Sequence, residues 1–193
     1  MTGAIAIIGW GSLLWDLENL APHVSGDWAV DRGPLLPLEF VRVSPKRLDA
    51  LTVVVDRDHG ATCATSFLLS RQSEVSEAVA NLAARERAAQ EHIGFLCLKS
   101  GRLRSRLPET AERMAAWLDE TGLDAAVWTD LAGNFRERTG RDFSIDAAID
   151  YLSTLPEASM TEARRYIASA PAAVDTPLRR ALETHDWWRA IAY

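Results

Sequence analysis

Cysteine is scarce, with Cys63 and Cys97 the only two in 193 residues. Each lies in an apolar, strand-like run, where a free thiol behaves as a small hydrophobe, so no disulfide framework is indicated. The four histidines, His23, His59, His92 and His185, have no metal-ligand spacing and no Cys-x-x-Cys companion, and no metal is expected. Basic residues are in deficit, 21 against 27 acidic, for a net charge of −6. Phosphate binding needs clustered Lys and Arg, so no nucleic-acid partner is expected and a small-molecule substrate is favoured. Arg102, Arg104 and Arg106 cluster locally, but alternating charges after a strand read as a solvated face. No apolar run approaches about 18 residues, which argues against a membrane span. Residues 1–14 lack a basic leader and a small-residue cleavage pattern, so a cytoplasmic location is expected by elimination.

What is present is a 48% hydrophobic chain, enough for one well-filled domain over residues 1–193. No repeat or low-complexity tract interrupts it, and residues 171–177 are too short to act as a linker. Residues 4–9, 35–45, 51–56 and 61–69 are short runs rich in Val, Ile, Leu, Phe and Thr and read as strands. Residues 56–60, Asp-Arg-Asp-His-Gly, read as a hairpin turn. A helix is expected over 73–89, a strand over 92–98, a helix over 108–120 and a strand over 125–131. Helical segments follow near 144–155, 160–169 and 177–190, each opened by Ser or Thr with an early acid or proline. Strands first and helices later predict an α+β fold, with a mixed, curled or barrel-like sheet, packed helices and a mostly helical extension over 108–193.

Two places carry chemistry. The first follows the strand at 4–9: Gly9, Trp10, Gly11, Ser12, Leu13, then Leu14 and Trp15. Glycine there permits positive φ and close approach of a ligand, and successive backbone N–H groups form a concavity for a carboxylate or an oxyanion. An ordinary tight turn after a buried strand is the plainer reading. A dinucleotide fingerprint fails, because Leu14 occupies the third glycine position and Pro22 falls where a crossover helix would run.

The second is Glu86. Val75, Val79, Leu82 and Glu86 recur at spacings of four, three and four, which places the carboxylate on the apolar face of its helix. A buried, unpaired carboxylate is pushed toward its neutral form, the behaviour of a general acid/base. The alternatives are an ion pair, with Arg42 or Arg47, or a helix that stops before Glu86. Glu74, Glu77 and Glu91 fall off the stripe and are weaker candidates.

The loop Gly9-Trp10-Gly11-Ser12-Leu13-Leu14-Trp15 resembles the Gly-Tyr-Gly-Ser-Leu-x-Trp opening of the gamma-glutamylcyclotransferases, the ChaC-type branch in particular. Leu82-Ala83-Ala84-Arg85-Glu86 is similar to that family's Leu-Asp-x-Arg-Glu segment. The likeness extends over residues 4–98, and residues 1–107 would form the cyclotransferase-like core. It implies substrate binding through Gly9, Trp10, Gly11, Ser12 and Leu13, catalysis by Glu86 and no cofactor. Trp10 replaces a tyrosine and loses its hydroxyl, Ala83 replaces an aspartate, and the interval from Glu86 to Gly94-Phe95 is longer than in the family.

The resemblance implies closure of a gamma-glutamyl compound to 5-oxoproline with release of an amine. The alternatives are a non-catalytic small-molecule-binding module of the same fold, or amide or acyl transfer on another substrate. Residues 126–135 match no family motif, and Trp128 there reads as core. His185-Asp186 near the carboxy terminus has no nucleophile to join it. That end reads as a closing helix packed by Trp187 and Trp188, and exposure of both would mark a homodimer contact.

Overall fold

The computed structural model describes residues 3–193. The chain begins with strands β1 (Ile5–Gly9), β2 (Val24–Ala29), β3 (Leu35–Ser44), β4 (Ala50–Val55), β5 (Ala61–Ala64) and β6 (Ser66–Ser70). Helix α1 (Val75–Glu86), strands β7 (Ile93–Cys97) and β8 (Arg102–Arg104), helix α2 (Pro108–Thr121) and strand β9 (Ala125–Thr129) come next. Helices α3 (Phe135–Thr139), α4 (Ile145–Ser153), α5 (Glu157–Ser169), α6 (Pro177–Leu182) and α7 (Asp186–Arg189) complete it. The fold is α+β, as the order of apolar patterns predicts. No helix among the described residues is long and apolar enough to cross a membrane. Two compact units are formed: the chain up to Leu36 with Ala64–Leu131, and Pro37–Cys63 with Ala132–Tyr193.

The first unit carries a six-stranded sheet in the order β2-β6-β1-β9-β7-β8. β1 runs antiparallel to β6 and parallel to β9, and β9 runs antiparallel to β7. The sheet is therefore mixed, and with β2 and β8 at its edges it is open rather than barrel-like. All five residues of β1 are buried, which requires cover on both faces. On one face Ala78, Val79, Leu82 and Ala83 of α1 pack with Ile5, Ile7, Leu68 and Val127. Alternation turns Ile8 and its register partner Phe67 to the other face. There the Phe67 ring meets Trp117 of α2 edge-on, with centroids 5.1 Å apart. Residues 108–131, grouped in the sequence with the helical extension, thus supply α2 and β9 to this unit.

Helix boundaries follow local chemistry. α2 has Pro108 in its first turn and ends at Gly122, whose φ is +69°. α1 is shorter than the expected 73–89. It ends without glycine, because Arg87 takes the left-handed conformation and Ala88 N–H closes on Ala83 O at 3.1 Å. In the β7–β9 ladder Gly94 lies opposite Trp128. A Cβ at Gly94 would sit 2.3 Å from the indole, so the fully buried Trp128 is core, as expected, and needs glycine beside it.

The second unit holds a three-stranded sheet ordered β4-β3-β5. The expected hairpin at 56–60 is not formed, because β3 lies between β4 and β5. The turn instead crosses the beginning of β3: Asp56 N–H bonds Pro37 O at 2.9 Å, and a Cβ on Gly60 would lie 2.6 Å from the Pro37 carbonyl carbon. The run at 61–69 is likewise two strands rather than one, β5 and β6 joining different sheets. Between them the buried Thr65 turns aside, its hydroxyl donating to Pro34 O at 2.7 Å and its carbonyl accepting Gly33 N–H at 2.8 Å.

Within the second unit α5 packs on β4, and α4 packs on α5 and α6. Glu39 of β3 is fully buried and accepts N–H bonds from Phe40 at 2.7 Å and Leu178 at 3.1 Å. The expected helix over 177–190 is divided into α6 and α7. Trp188 is buried, Trp187 is half-buried, and their rings meet edge-on at 5.7 Å. The double exposure that would mark a dimer contact is absent.

Candidate active site

At the carboxyl end of β1 the chain leaves the sheet through Gly9, Trp10 and Gly11 and makes a tight 3-10 turn over Ser12–Leu14. Leu14 N–H bonds Gly11 O at 3.0 Å and Asp16 N–H bonds Ser12 O at 3.0 Å. Among the described hydrogen bonds none is donated by the backbone N–H of Gly11, Ser12 or Leu13. Neither Gly9 nor Gly11 has positive φ, which corrects the conformational reason for glycine here. Gly9 is required by packing: a Cβ would lie 2.7 Å from the Trp28 ring and 2.9 Å from Leu14 Cδ1. Trp10 and Leu13 are buried and Ser12 is half-buried, so Trp10 is part of the wall of the loop.

Glu86 is the last residue of α1, so the helix does reach it. Its side chain is 17% exposed, whereas that of Arg85 is 1% exposed. The apolar face thus takes in its neighbour more completely than Glu86 itself. Arg85 is also the partner that the sequence does not reveal. Its Nη1 donates to Glu86 Oε1 at 2.6 Å, and its Nη2 to Asp16 O at 2.5 Å and Ser12 Oγ at 3.3 Å. Arg42 and Arg47, the partners considered from sequence, bond Ala132 O and Glu162. The reading of Glu86 as a buried, unpaired carboxylate is therefore replaced by a paired one. A visible signal existed: Ala78, Leu82 and Arg85 follow the i, i+4, i+7 spacing and are all buried.

Arg85 brings the two sequence motifs together. One guanidinium joins the hydroxyl of the glycine loop to the carboxylate at the end of α1, across 73 residues of chain. Planar, with five donors in a fixed fork, it suits such a bridge better than lysine. The ion pair is made through Glu86 Oε1.

One further residue escapes sequence reasoning. The register Ile8↔Trp128 in the parallel β1–β9 pair carries Asp130, just past β9, to the same end of the sheet as the glycine loop. Ligands of open sheets gather at the carboxyl ends of parallel strands. Asp130 is 6% exposed. Its Oδ2 accepts the Arg106 N–H, while Oδ1 is buried without a donor. Buried acceptors are normally satisfied, so this oxygen stands out as an unpaired acceptor. The loop N–H groups and the carboxylate fixed by Arg85 adjoin one another, and they can hold an anionic or polar carbonyl group beside a cationic amine. No family model, curated protein or solved structure matches the chain.

Proposed function

We propose that the protein cyclises a gamma-glutamyl compound to 5-oxoproline with release of an amine, as its resemblance to the gamma-glutamylcyclotransferases implies. The observation that carries this reading is the Arg85 bridge, which unites Ser12 and Glu86, the residues on which the resemblance rests. Glu86 takes a proton from the substrate's α-ammonium. The freed amine attacks the γ-carbonyl carbon, forming the ring C–N bond. The carbonyl oxygen becomes an oxyanion, which the N–H groups of Gly11, Ser12 and Leu13 receive. As the oxyanion collapses, the original amide C–N bond breaks and Glu86 gives its proton to the leaving nitrogen. The ring nitrogen then sheds its extra proton to Glu86, which passes it to the departing amine, so that a neutral lactam and an ammonium leave and protons and electrons balance.

Because attack is intramolecular, holding the amine against the carbonyl supplies much of the acceleration. Asp130 Oδ1 is a second acceptor at the same end of the sheet, suited to the α-ammonium before it loses its proton. The test is to incubate the protein with a panel of gamma-glutamyl amino acids, peptides and amines and to assay 5-oxoproline. Release from at least one member supports the reading, and the best member identifies the leaving amine.

A second reading, a binding module without turnover, draws on the fixed Arg85–Glu86 pair, which restrains the carboxylate proposed to shuttle a proton. It predicts calorimetric binding of the same panel with no 5-oxoproline.

A further inference from the structure

On the α1 face of the six-stranded sheet a cavity of about 720 Å³ is lined by the first turns of α1 and by the β7–β8 hairpin. Its volume is that of a pocket for a small organic molecule. Ile5, Val79 and Phe95 give it an apolar floor. The hairpin supplies Lys99, Arg102 and Arg104. The Arg104 guanidinium is fixed by Ile93 O at 2.8 Å and Gln90 O at 2.6 Å. Arg102 and Arg104 lie over the Phe95 ring, 5.8 and 5.0 Å from its centroid. Among the described residues neither the Lys99 ammonium nor the Arg102 guanidinium has a carboxylate partner. Two acids also line the cavity: Asp124, whose Oδ2 accepts Ala4 N–H at 2.8 Å, and Glu74. Three cations against two carboxylates, over an apolar floor, favour an anion with an apolar body.

We propose that this cavity binds a small organic anion with a flat apolar body, its body against Ile5 and Val79 and its charged group at Lys99 and Arg102. The site is independent of the cyclisation reading, for its residues include neither the glycine loop nor Glu86. It also gives Arg102 and Arg104, two of the three alternating arginines after β7, a part beyond solvating a surface: they form the cationic wall of a concave site.

The probe pair is anilinonaphthalene sulfonate and its neutral parent phenylnaphthylamine, which differ by the sulfonate. Saturable fluorescence binding of the sulfonate is expected. Cys97, half-buried on the cavity lining, reports the place: bound sulfonate slows its alkylation, while the buried Cys63 stays silent. Lys99→Ala with Arg102→Ala weakens the sulfonate by about tenfold, as loss of two charge-assisted contacts implies, and the neutral dye by less than about twofold. Ser76→Trp, an exposed position on the cavity rim, blocks both dyes without disturbing the core. Circular dichroism of each variant verifies the fold. The proposal is overturned by the absence of saturable binding, by equal loss of both dyes on removing the cations, or by binding that survives Ser76→Trp and leaves Cys97 alkylation unchanged.

Discussion

Arg85 donates to Glu86 at 2.6 Å while almost wholly buried, and the same guanidinium reaches Ser12 Oγ at 3.3 Å. The ion pair and the position of the glycine loop against the end of α1 therefore depend on one side chain. Removing one partner of a buried pair leaves the other charge uncompensated. Arg85→Met is expected to cost about 3 kcal/mol, the low end for such pairs because Glu86 keeps some contact with water. Urea unfolding measures this. The double variant Arg85→Met, Glu86→Gln should recover part of the loss, and strict additivity would contradict the coupling.

Gly94 and Trp128 make a second close pair, this time steric. A methyl group at Gly94 overlaps the indole at 2.3 Å, so Gly94→Ala is expected to lose about 1–3 kcal/mol to overpacking. A Trp128→Phe background replaces the indole by a smaller ring and removes the Nε1 and Cζ2 that the methyl group would strike. The cost of Gly94→Ala should then fall, as read from a double-mutant cycle in urea. An unchanged cost would place the strain elsewhere.

Glu39 predicts a pH dependence with a definite sign. Burial pushes its carboxyl above the ordinary value of 4.5, against the lowering effect of hydrogen bonds from Thr176, Phe40 and Leu178. Its folded pKa exceeds its unfolded pKa, so the native state binds the proton more tightly. The stabilisation is complete below pH 4.5 and is lost as pH rises through the folded pKa. The stability of the wild type relative to Glu39→Gln should therefore fall as pH increases above 4.5. Taking the difference between the two proteins cancels the other titrating groups, and a flat difference would contradict the assignment.

Asp130 yields a prediction specific to the substrate's amine. If its buried, unpaired Oδ1 accepts from the α-ammonium, Asp130→Ala should raise KM for a gamma-glutamyl substrate by about tenfold, one charge-assisted hydrogen bond being lost. A desamino analogue, which lacks that amine, should inhibit the variant and the wild type equally. Equal weakening of substrate and analogue would assign Asp130 a purely structural part.

Elements with local signals were legible in the sequence. α2 is bracketed by Pro108 and Gly122, and the apolar runs at β1, β7 and β9 fall where they were expected. The loop after β1 and Glu86 on α1 were singled out by spacing and resemblance. What escaped depends on long-range contacts. The break at Thr65 depends on bonds to Gly33 and Pro34, and the three residues of β8 are too few for a periodic signal. Arg85 lies on the i, i+4, i+7 face of α1, but its partners Ser12 and Asp16 come from a distant part of the chain. The hairpin at 56–60 had the right turn residues, but β3 lies between the strands it was expected to pair.

The most direct test of the proposed reaction compares 5-oxoproline release by the wild type and by Glu86→Gln, on the gamma-glutamyl compound that the wild type turns over fastest. Glutamine keeps an oxygen to accept from Arg85 but cannot carry the proton between nitrogens. An unchanged fold, retained substrate binding and a rate lower by about 10²- to 10⁴-fold, the usual worth of a general acid/base, are expected. Full activity in the variant would contradict it.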